Sequence, residues 1–585
     1  MKKYHLILLS VLSGLLLAMA WPTRGFPGLL FVAFIPLFFI EDYIDARRND
    51  FNRFSVLFYV YPAFLIWCGL TTYWIWKSTP AGAVGAVMVN ALLMAFVFNI
   101  FHITKRNIFS PWRAHYILVF YWISFEFFHL HWELNWPWLN LGNGFANYIK
   151  WIQWYEFTGA FGGTLWVLVV NILIYHLFIK INGIKPQGAS LLKLWSESNK
   201  PWALFSRASL GKLKLIFSSA EAEREGGMKQ KAKPIKKILS PAVSALLFIL
   251  IPLIISLYIY HNYREKLNPV SIIITQPNID PYTEQYTLPP DQIIEKNLDL
   301  AISELDEETD FIVCPESAIQ EQVWENRLEY SGSLKQLKKF IYEHPRTGIV
   351  IGASTFREFL PGEEISRTAR KFSDVDLYYD AYNTVFYLDT TDIIQLSHKS
   401  RLTPGVEILP YSRYLKFIEK FAIDLGGTIG TLGTDPERKV FIRQPDSLKF
   451  AAVICYESVF GEFFSQFVRN GAELMFIITN DGWWGDTPGH RQHLLFAPLR
   501  AIETRRSIAR SANTGISAFI NHRGDICQSI GYWKPGVIKQ DINANSRLTF
   551  YTKYGNYIAR ISCFISGIFL LCSLASALMK RKIRI

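Results

Sequence analysis

Phe450-Ala-Ala-Val-Ile-Cys-Tyr-Glu457 is an apolar run that ends in a thiol and a carboxylate. Its length and aliphatic content predict a buried β-strand that stops near Cys455. A cysteine at the point where a buried strand meets a turn can present its sulfur to a cleft, which is the placement that a nucleophile needs. Taken alone, Cys455 is more simply explained as a small hydrophobic side chain at the end of a core strand.

Two other strand-like runs end in polar groups that would suit such a thiol. Phe311-Ile-Val-Cys-Pro-Glu316 ends in a carboxylate, and Ile393-Ile-Gln-Leu-Ser-His-Lys399 ends in an amine. A thiol reacts as its thiolate and therefore needs a proton acceptor or a nearby positive charge. We expect Glu316 to accept that proton and Lys399 to hold the oxyanion of a tetrahedral intermediate. Individually, the first could be an exposed turn carboxylate and the second a solvated loop lysine.

These runs belong to a part of the chain, from residue 269 onward, in which short β-branched segments alternate with amphipathic ones. The predicted strands are 271–275, 311–314, 348–352, 384–388, 449–455, 474–479 and 516–521. The helical patterns between them include 292–305, 333–343 and 492–507. Alternating strands and helices predict an α/β layer architecture built on one or two sheets.

The first 260 residues have a different texture, with long and nearly uncharged runs. About 20 apolar residues cross a bilayer, so these runs predict membrane-spanning helices. We place spans at 4–21, 29–40, 54–74, 81–101, 115–132, 161–181 and 238–260, with an eighth at 561–579. The first span could instead be a cleavable signal peptide, because Lys2-Lys3 precedes it and Ala18-Met-Ala20 ends it.

Charge predicts the orientation of these spans. Residues 262–558 hold 32 Lys and Arg against 38 Asp and Glu, whereas the rest of the chain holds 29 against 11. Positive charge stays on the cytoplasmic side, which places both termini inside and 262–558 on the outer face. The basic excess is therefore an orientation signal and an attraction to anionic lipid, and no nucleic-acid motif accompanies it.

The predicted organisation follows from the spans and their orientation. Residues 1–181 hold six transmembrane helices, 182–237 form a cytoplasmic loop, and 238–261 form the seventh helix. Residues 262–558 form an exported catalytic domain, and 559–585 form the eighth helix with a basic cytoplasmic tail. The exported domain holds three of the six cysteines, Cys314, Cys455 and Cys527, and an odd number leaves at least one free thiol.

Three motifs, read together and in order, carry a family resemblance. They are Cys314-Pro-Glu316, then His398-Lys-Ser-Arg-Leu-Thr-Pro404 with Glu407, then Ile454-Cys-Tyr-Glu457 followed by Thr479-Asn-Asp-Gly-Trp-Trp-Gly-Asp486. The set resembles the Glu-Lys-Cys signature of the nitrilase superfamily. With the eight-span frame, it is similar to the apolipoprotein N-acyltransferase family, the integral membrane members of that superfamily in bacterial inner membranes.

The resemblance implies a four-layer αββα sandwich for 269–545 and an acyl transfer that needs no cofactor. The cysteine would take the sn-1 acyl group of a phospholipid, typically phosphatidylethanolamine, as a thioester. The amino group of an S-diacylglyceryl cysteine, at the N-terminus of an apolipoprotein, would then receive it. A thioester keeps the acyl group activated while the first product leaves.

The resemblance also implies roles for individual residues. Glu316 would be the general base, Lys399 would stabilise the oxyanion, and Glu407 would support Lys399 and Cys455. The remaining candidates are neighbours of the nucleophile, or residues that could cover the cleft, bind substrate or dip into lipid: Tyr456 and Glu457, and then Trp483, Trp484 and Tyr286. Each of these could instead be an ordinary core or turn residue.

A metal site is the weaker explanation of His490 and His493, which stand three residues apart. Two histidines on one helix face can bind zinc, but the sequence shows no third ligand at a useful spacing. We therefore expect no metal.

Two other hypotheses compete with the transferase. One is a membrane-anchored amidase in which water discharges the thioester, and the other is a non-catalytic binding or transport protein.

Overall fold

The structure is a computed structural model that describes residues 3–108, 114–182, 232–408, 411, 431–444 and 446–582. The predicted cytoplasmic loop 182–237 lies largely outside the described residues, as does the end of the basic tail. In the described residues the helices are α1 (Lys3–Ala20), α2 (Ile35–Ala46), α3 (Ser55–Thr72), α4 (Pro80–Ile108), α5 (Tyr116–Phe128), α6 (Tyr155–Thr158), α7 (Ala160–Ile181), α8 (Ala232–Asn262), α9 (Pro290–Ile302), α10 (Gly332–Glu343), α11 (Gly461–Arg469), α12 (Pro488–Thr504), α13 (Phe550–Tyr554) and α14 (Tyr557–Lys582). The strands are β1 (Pro269–Gln276), β2 (Phe311–Val313), β3 (Ile319–Trp324), β4 (Gly348–Glu358), β5 (Arg370–Lys371), β6 (Tyr378–Leu388), β7 (Gln395–His398), β8 (Phe441–Ile442), β9 (Lys449–Ile454), β10 (Leu474–Thr479), β11 (Ile508–Ala512), β12 (Ala518–Ile520), β13 (Ile526–Ser529) and β14 (Gly536–Asn543).

Six helices among the described residues are long and apolar enough to cross a membrane. They are Lys3–Ala20, Ser55–Lys77, Pro80–Ile108, Ala160–Ile181, Ala242–Asn262 and Tyr557–Lys580. Each coincides with a predicted span. The fifth predicted span, 115–132, contains α5, which is apolar but only 13 residues long. The prediction of a membrane part made of several apolar helices is confirmed, whereas the count of eight spans stays a prediction.

The second predicted span, 29–40, is not a single helix. A 3-10 helix covers Pro27–Phe31, and α2 begins only at Ile35 and runs on to Ala46. Each of the two helices has a proline in its first turn, where the missing N–H costs nothing. Pro36 therefore favours a new helix start in the middle of the apolar run. The hydropathy pattern marks the apolar residues correctly but not the break between the two helices.

The part of the chain from β1 to β14 contains two sheets. The outer sheet has the strand order β14-β1-β2-β4-β6-β5, with β3 beside β4 and β7 beside β6. The inner sheet has the order β13-β12-β11-β10-β9-β8. In the inner sheet β9, β10 and β11 are parallel, so their carboxyl ends meet at one edge. In the outer sheet β1, β2 and β4 are parallel.

The two sheets pack face to face around an aromatic core. The ring of Phe311, from the outer sheet, lies 4.9 Å from the ring of Phe450 and 5.4 Å from that of Phe476, both from the inner sheet. Helices α9 and α10 cover the other face of the outer sheet. Helices α11 and α12 cover the other face of the inner sheet. The predicted αββα sandwich is confirmed.

The inner sheet and its helices share one continuous hydrophobic core with the apolar helices of the first half of the chain. Polar contacts fix the same interface. On α12, the Gln492 side-chain oxygen accepts hydrogen bonds from the indole N–H groups of Trp74 at 3.1 Å and Trp138 at 2.7 Å. Its amide group donates to the carbonyls of Pro22 at 2.9 Å and Thr71 at 3.2 Å. Helix α12 is therefore clamped directly to the membrane part.

Candidate active site

Cys455 occupies a sharp turn between β9 and a 3-10 helix, Cys455–Val459. Its backbone φ is 50°, in the left-handed region that few residues other than glycine adopt. Such a conformation persists only where the surroundings impose it, and it is common at functional sites. The residue remains partly accessible, while Ile454 before it and Tyr456 after it are buried. The turn therefore presents the thiol from the end of a buried strand.

Glu457 fixes this turn to the loop that follows β7. Its carboxylate accepts hydrogen bonds from the backbone N–H groups of Ile454 at 2.8 Å, Ser400 at 2.6 Å and Arg401 at 3.3 Å. Burial raises the pKa of Glu457, and these N–H groups oppose the rise. These hydrogen bonds are all to backbone, so the geometry of Glu457 is that of a brace between two loops rather than of a reacting group.

Glu316 lies three residues beyond the end of β2 and is oriented through both carboxylate oxygens. Oε1 accepts hydrogen bonds from Asn383 Nδ2 at 2.8 Å and from Lys399 Nζ at 3.2 Å. Oε2 accepts from the backbone N–H of Asn480 at 3.0 Å. The outer sheet thus supplies the carboxylate, and a loop of the inner sheet supplies one of the groups that hold it.

Lys399, directly after β7, is almost completely buried between two carboxylates. Its Nζ lies 3.2 Å from Glu316 Oε1 and 2.8 Å from Glu407 Oε1. Burial alone would lower the pKa of Lys399, but the two carboxylates outweigh it and hold the pKa well above its usual value. Burial raises the pKa of Glu407, yet Lys399 and the Thr403 N–H bring it below the ordinary value. Both groups are therefore charged, and Lys399 is a fixed cation.

The electrostatics keep Cys455 as a thiol in the absence of substrate. Burial raises the pKa of the Cys455 thiol well above its ordinary value, and the charge of Glu316 raises it further. Lys399 and a hydrogen bond with Thr479 act in the opposite direction without reversing the shift. A thiol in this environment needs a proton acceptor close by when it reacts. Glu316 is the carboxylate whose charge acts on it most strongly.

The sequence prediction missed a second set of buried polar residues around the nucleophile. Asp481, two residues after β10, lies 2.6 Å from Arg510 Nη2 and 2.9 Å from His493 Nδ1. Burial raises the pKa of Asp481, but Arg510 and the contact with His493 bring it far below its usual value. The available signal was the position of Asn480-Asp481 at a strand end, the same signal that identified Glu316 and Lys399.

The aromatic candidates occupy different environments. Trp484 packs between the apolar helices and the sandwich, with its ring 4.8 Å from Trp74 and 5.9 Å from Trp138. Trp483 is half-buried, and its carbonyl accepts a hydrogen bond from the Tyr282 hydroxyl at 2.8 Å. Tyr286 is largely exposed, on the segment that follows β1. Trp484 is thus a contact between the two parts of the molecule, whereas Trp483 and Tyr286 lie at its surface.

Tyr456 connects the nucleophile turn to the membrane part. Its hydroxyl donates a hydrogen bond to the carbonyl of Asn135, in the segment after α5, at 3.0 Å. The arginine side chains of 500–510 are also buried in the described structure, away from lipid: Arg500, Arg505, Arg506 and Arg510.

Among the described residues, two groups bring three possible metal ligands within 4.8 Å of one another. One is Cys455, Asp481 and His493, and the other is Glu41, Asp42 and His115 in the membrane part. Each group already holds a protein cation: Arg510 pairs with Asp481, and Lys105 pairs with both Glu41 and Asp42. In both groups, the negative charge that would attract a metal ion is compensated by a side chain.

Both parts of the chain match known families. Residues 13–173 match the apolipoprotein N-acyltransferase N-terminal domain, and residues 274–549 match the carbon-nitrogen hydrolase family. An apolipoprotein N-acyltransferase of Chlorobaculum tepidum is 26% identical over 98% of this chain and 97% of its own length. One of Geobacter metallireducens is 23% identical over 94% of this chain and 92% of its own. A solved amidase from a Nesterenkonia species has a TM-score of 0.33 and 14% identity, covering 48% of this chain and 93% of its own.

Proposed function

Since this chain belongs to the apolipoprotein N-acyltransferase family, we propose that it transfers a fatty acyl group from a phospholipid to the amino terminus of a diacylglyceryl lipoprotein. The observation that carries the proposal is the place of Cys455. Its turn is bonded through Tyr456 to Asn135 of the membrane part, and it ends a strand whose core continues into the apolar helices. A nucleophile at that junction is accessible to lipid. A free-standing hydrolase domain would not need such access.

In the first half-reaction Glu316 takes the proton of the Cys455 thiol as the sulfur attacks the sn-1 ester carbonyl. The carbonyl oxygen gains the negative charge of the tetrahedral intermediate, and the Lys399 ammonium donates to it. The intermediate collapses, the ester C–O bond breaks, and protonated Glu316 returns its proton to the leaving alkoxide. The products are a Cys455 thioester and a lysophospholipid.

In the second half-reaction the amine of the S-diacylglyceryl cysteine attacks the thioester carbonyl. Glu316 accepts a proton from the amine, and Lys399 again stabilises the oxyanion. Collapse breaks the C–S bond, and the sulfur recovers its proton from Glu316. Glu407 holds Lys399 in place for both steps, and the product is an amide at the lipoprotein N-terminus.

The location and the donor belong to the same proposal. The distribution of Lys and Arg along the chain supports a multi-pass protein of the bacterial inner membrane, with 262–558 on the periplasmic side. Phosphatidylethanolamine is the donor that the family resemblance favours. Tyr286 and Trp483, at the surface beside the site, are the residues that we assign to substrate entry.

The test is the acyl-enzyme itself. The full chain in detergent micelles is incubated with phosphatidylethanolamine, digested and analysed by mass spectrometry. We expect an acyl adduct on the Cys455 peptide, its loss in Cys455→Ala, and its retention in Cys527→Ala, since Cys527 is an exposed thiol of the same domain. An adduct on another residue, or acyl transfer that survives Cys455→Ala, would rule out the mechanism.

The same acyl-enzyme separates a transferase from an amidase. The isolated thioester is offered a diacylglyceryl peptide with a free amine, or buffer alone. Fast discharge by the peptide and slow discharge by water is the result expected of the transferase. Equal rates would favour the hydrolase.

A further inference from the structure

His493 on α12 contacts the backbone of the nucleophile. Its Nε2 lies 3.1 Å from the Cys455 carbonyl oxygen and 3.1 Å from Ser458 Oγ. Its Nδ1 lies 2.9 Å from Asp481 Oδ1. The His493 side chain is completely buried, so all of its partners are protein groups. Nothing in the proposed acyl transfer uses this residue.

The hydrogen bonds of His493 define the protonation of Nε2. A carbonyl oxygen only accepts, and the Ser458 hydroxyl already donates its one hydrogen to the same Cys455 carbonyl at 2.7 Å. Nε2 must therefore carry a hydrogen to satisfy either partner. Nδ1 faces the Asp481 carboxylate at 2.9 Å and Arg510 Nη2 at 3.2 Å, so both ring nitrogens are engaged by protein groups.

This environment does not suit a metal ion. Nε2 is used as a donor, whereas a zinc ligand must offer an unprotonated nitrogen, and the positive Arg510 guanidinium lies beside Nδ1. The grouping of Cys455, Asp481 and His493 within 4.8 Å is therefore explained by hydrogen bonding. The same three residues instead link the carboxylate at the end of β10 to the turn at the end of β9.

The Cys455 backbone needs such a partner. A left-handed conformation at a residue with a side chain is strained, and a turn of this kind relaxes unless neighbouring groups hold it. The buried Nε2–H of His493 supplies a hydrogen bond to the Cys455 carbonyl from outside the turn. Ser458 lies within the same turn and moves with it, whereas His493 is anchored on a separate helix.

We propose that His493 is a positioning residue: its Nε2–H holds the Cys455 carbonyl and so keeps the thiol in line with Glu316 and Lys399. The inference rests on the proposed function, since it assigns a role in the formation of the Cys455 thioester. Its neighbour Gln492 is bonded to Trp74 and Trp138 of the membrane part. The Gln492-His493 pair therefore transmits the position of the apolar helices to the nucleophile.

The experiment compares three variants of the full chain in micelles. His493→Phe keeps an aromatic ring and removes both ring nitrogens. His493→Gln keeps an N–H donor without the ring. His490→Gln is the matched control, because His490 lies one turn earlier on α12, is equally buried, and stacks on Tyr532 at 3.9 Å instead of contacting Cys455.

Two rates are measured for each variant. The first is single-turnover thioester formation from phosphatidylethanolamine, with its dependence on lipid concentration. The second is alkylation of Cys455 by iodoacetamide, which needs no lipid. We expect His493→Phe to lower the maximal rate of thioester formation about 100-fold. We expect His493→Gln to lower this maximal rate less and to leave the lipid concentration at half-maximal rate within twofold of the parent. We expect His490→Gln to change neither the maximal rate nor that lipid concentration.

The two readouts distinguish the failures. A thioester rate in His493→Phe within threefold of the parent overturns the positioning role, and so does a loss in His490→Gln as large as that in His493→Phe. If the parent forms no thioester but alkylation of Cys455 slows in His493→Phe and not in His490→Gln, the proposed function fails while the positioning role stands. Partial recovery in His493→Gln excludes simple misfolding of the Phe variant.

Discussion

The two sheets of the sandwich contribute different components to the site. The outer sheet provides Glu316 and Lys399, and its other face is covered by α9 and α10. The inner sheet provides Cys455 and Asp481, and its core continues into the apolar helices. The group that would hold the acyl chain is thus fixed to the membrane part, and the groups that would move protons and stabilise charge face it from the other sheet.

A fold shared with hydrolases can serve a lipid substrate if one of its two sheets is joined to the membrane part. The proposed acid-base groups belong to the outer sheet and its loops, and the inner sheet contributes the Asn480 N–H that holds Glu316. The inner sheet also carries Cys455, the proposed nucleophile, and joins it to the apolar helices through Tyr456, Gln492 and α12. Substitutions in the two sheets should therefore have effects of different size and kind.

The largest effect is expected from the outer sheet. Glu316→Gln removes the proton acceptor and keeps the size of the side chain. Its amide oxygen can still accept from Asn383 and Lys399, while the bond to the Asn480 N–H is lost. Thioester formation should fall by about 10²–10⁴-fold, the usual contribution of a general base. Single-turnover mass spectrometry of the Cys455 peptide measures it. Glu343→Gln, at an exposed helix end, is the control, and a loss of less than threefold in Glu316→Gln would reassign the base.

Lys399→Met tests the charge balance of the same sheet. It leaves Glu316 and Glu407 without their shared cation in a buried site, and breaking a buried ion pair costs about 3–5 kcal/mol of unfolding free energy. Denaturant unfolding of the purified chain in detergent measures the loss. Lys371→Met removes an exposed ion pair with Asp376 and should change nothing measurable. Recovery of stability in Lys399→Met combined with Glu407→Gln would confirm that the unpaired charge is the cause.

A smaller effect is expected where the inner sheet meets the membrane part. Gln492→Leu removes the acceptor of the Trp74 and Trp138 indole N–H groups, and a buried donor without a partner costs about 1–3 kcal/mol. We expect lower stability of the whole chain and slower thioester formation, measured as above. Gln528→Leu, on the exposed strand β13, is the control. Unchanged stability in Gln492→Leu would show that the apolar core alone holds α12.

The smallest effect concerns pH. Because burial and the charge of Glu316 raise the pKa of the Cys455 thiol, alkylation by iodoacetamide should rise at higher pH than in the urea-unfolded chain, where a thiol titrates near its ordinary value of about 8.5. In Glu316→Gln one cause of the rise is gone, so the alkylation curve should move to lower pH even though acyl transfer is lost. A curve that moves to higher pH would contradict the stated sign.

Much of the sandwich could be predicted because its strands are short, β-branched and bounded by polar residues. The prediction for 474–479 coincides with β10, and that for 311–314 differs from β2 by one residue. The three reactive candidates could be predicted for a related reason. Each follows a strand, and groups at strand ends of stacked sheets can meet at one edge.

The failures have a different physical origin. Strand β11 was missed because Arg505 and Arg506 stand just before it and Arg510 lies within it, and charged residues at such spacing indicate a surface. Their charges are instead satisfied by distant groups: Arg506 donates to the Ala472 and Arg547 carbonyls, each at 2.8 Å. The contact of His493 with Cys455 joins residues 38 apart in sequence, and no local pattern encodes it.

The anchoring of the Cys455 turn has a consequence for the order of events. Glu457, Tyr456 and His493 hold the backbone turn that carries the Cys455 sulfur. The sulfur therefore cannot move over a long distance, as the mobile arm of a carrier protein does. Donor and acceptor must then reach the same fixed atom one after the other, and the site has to be vacated before the second can enter. Departure of the lysophospholipid into the bilayer is therefore a candidate for the slow step. Membrane fluidity is then a candidate regulator of the rate.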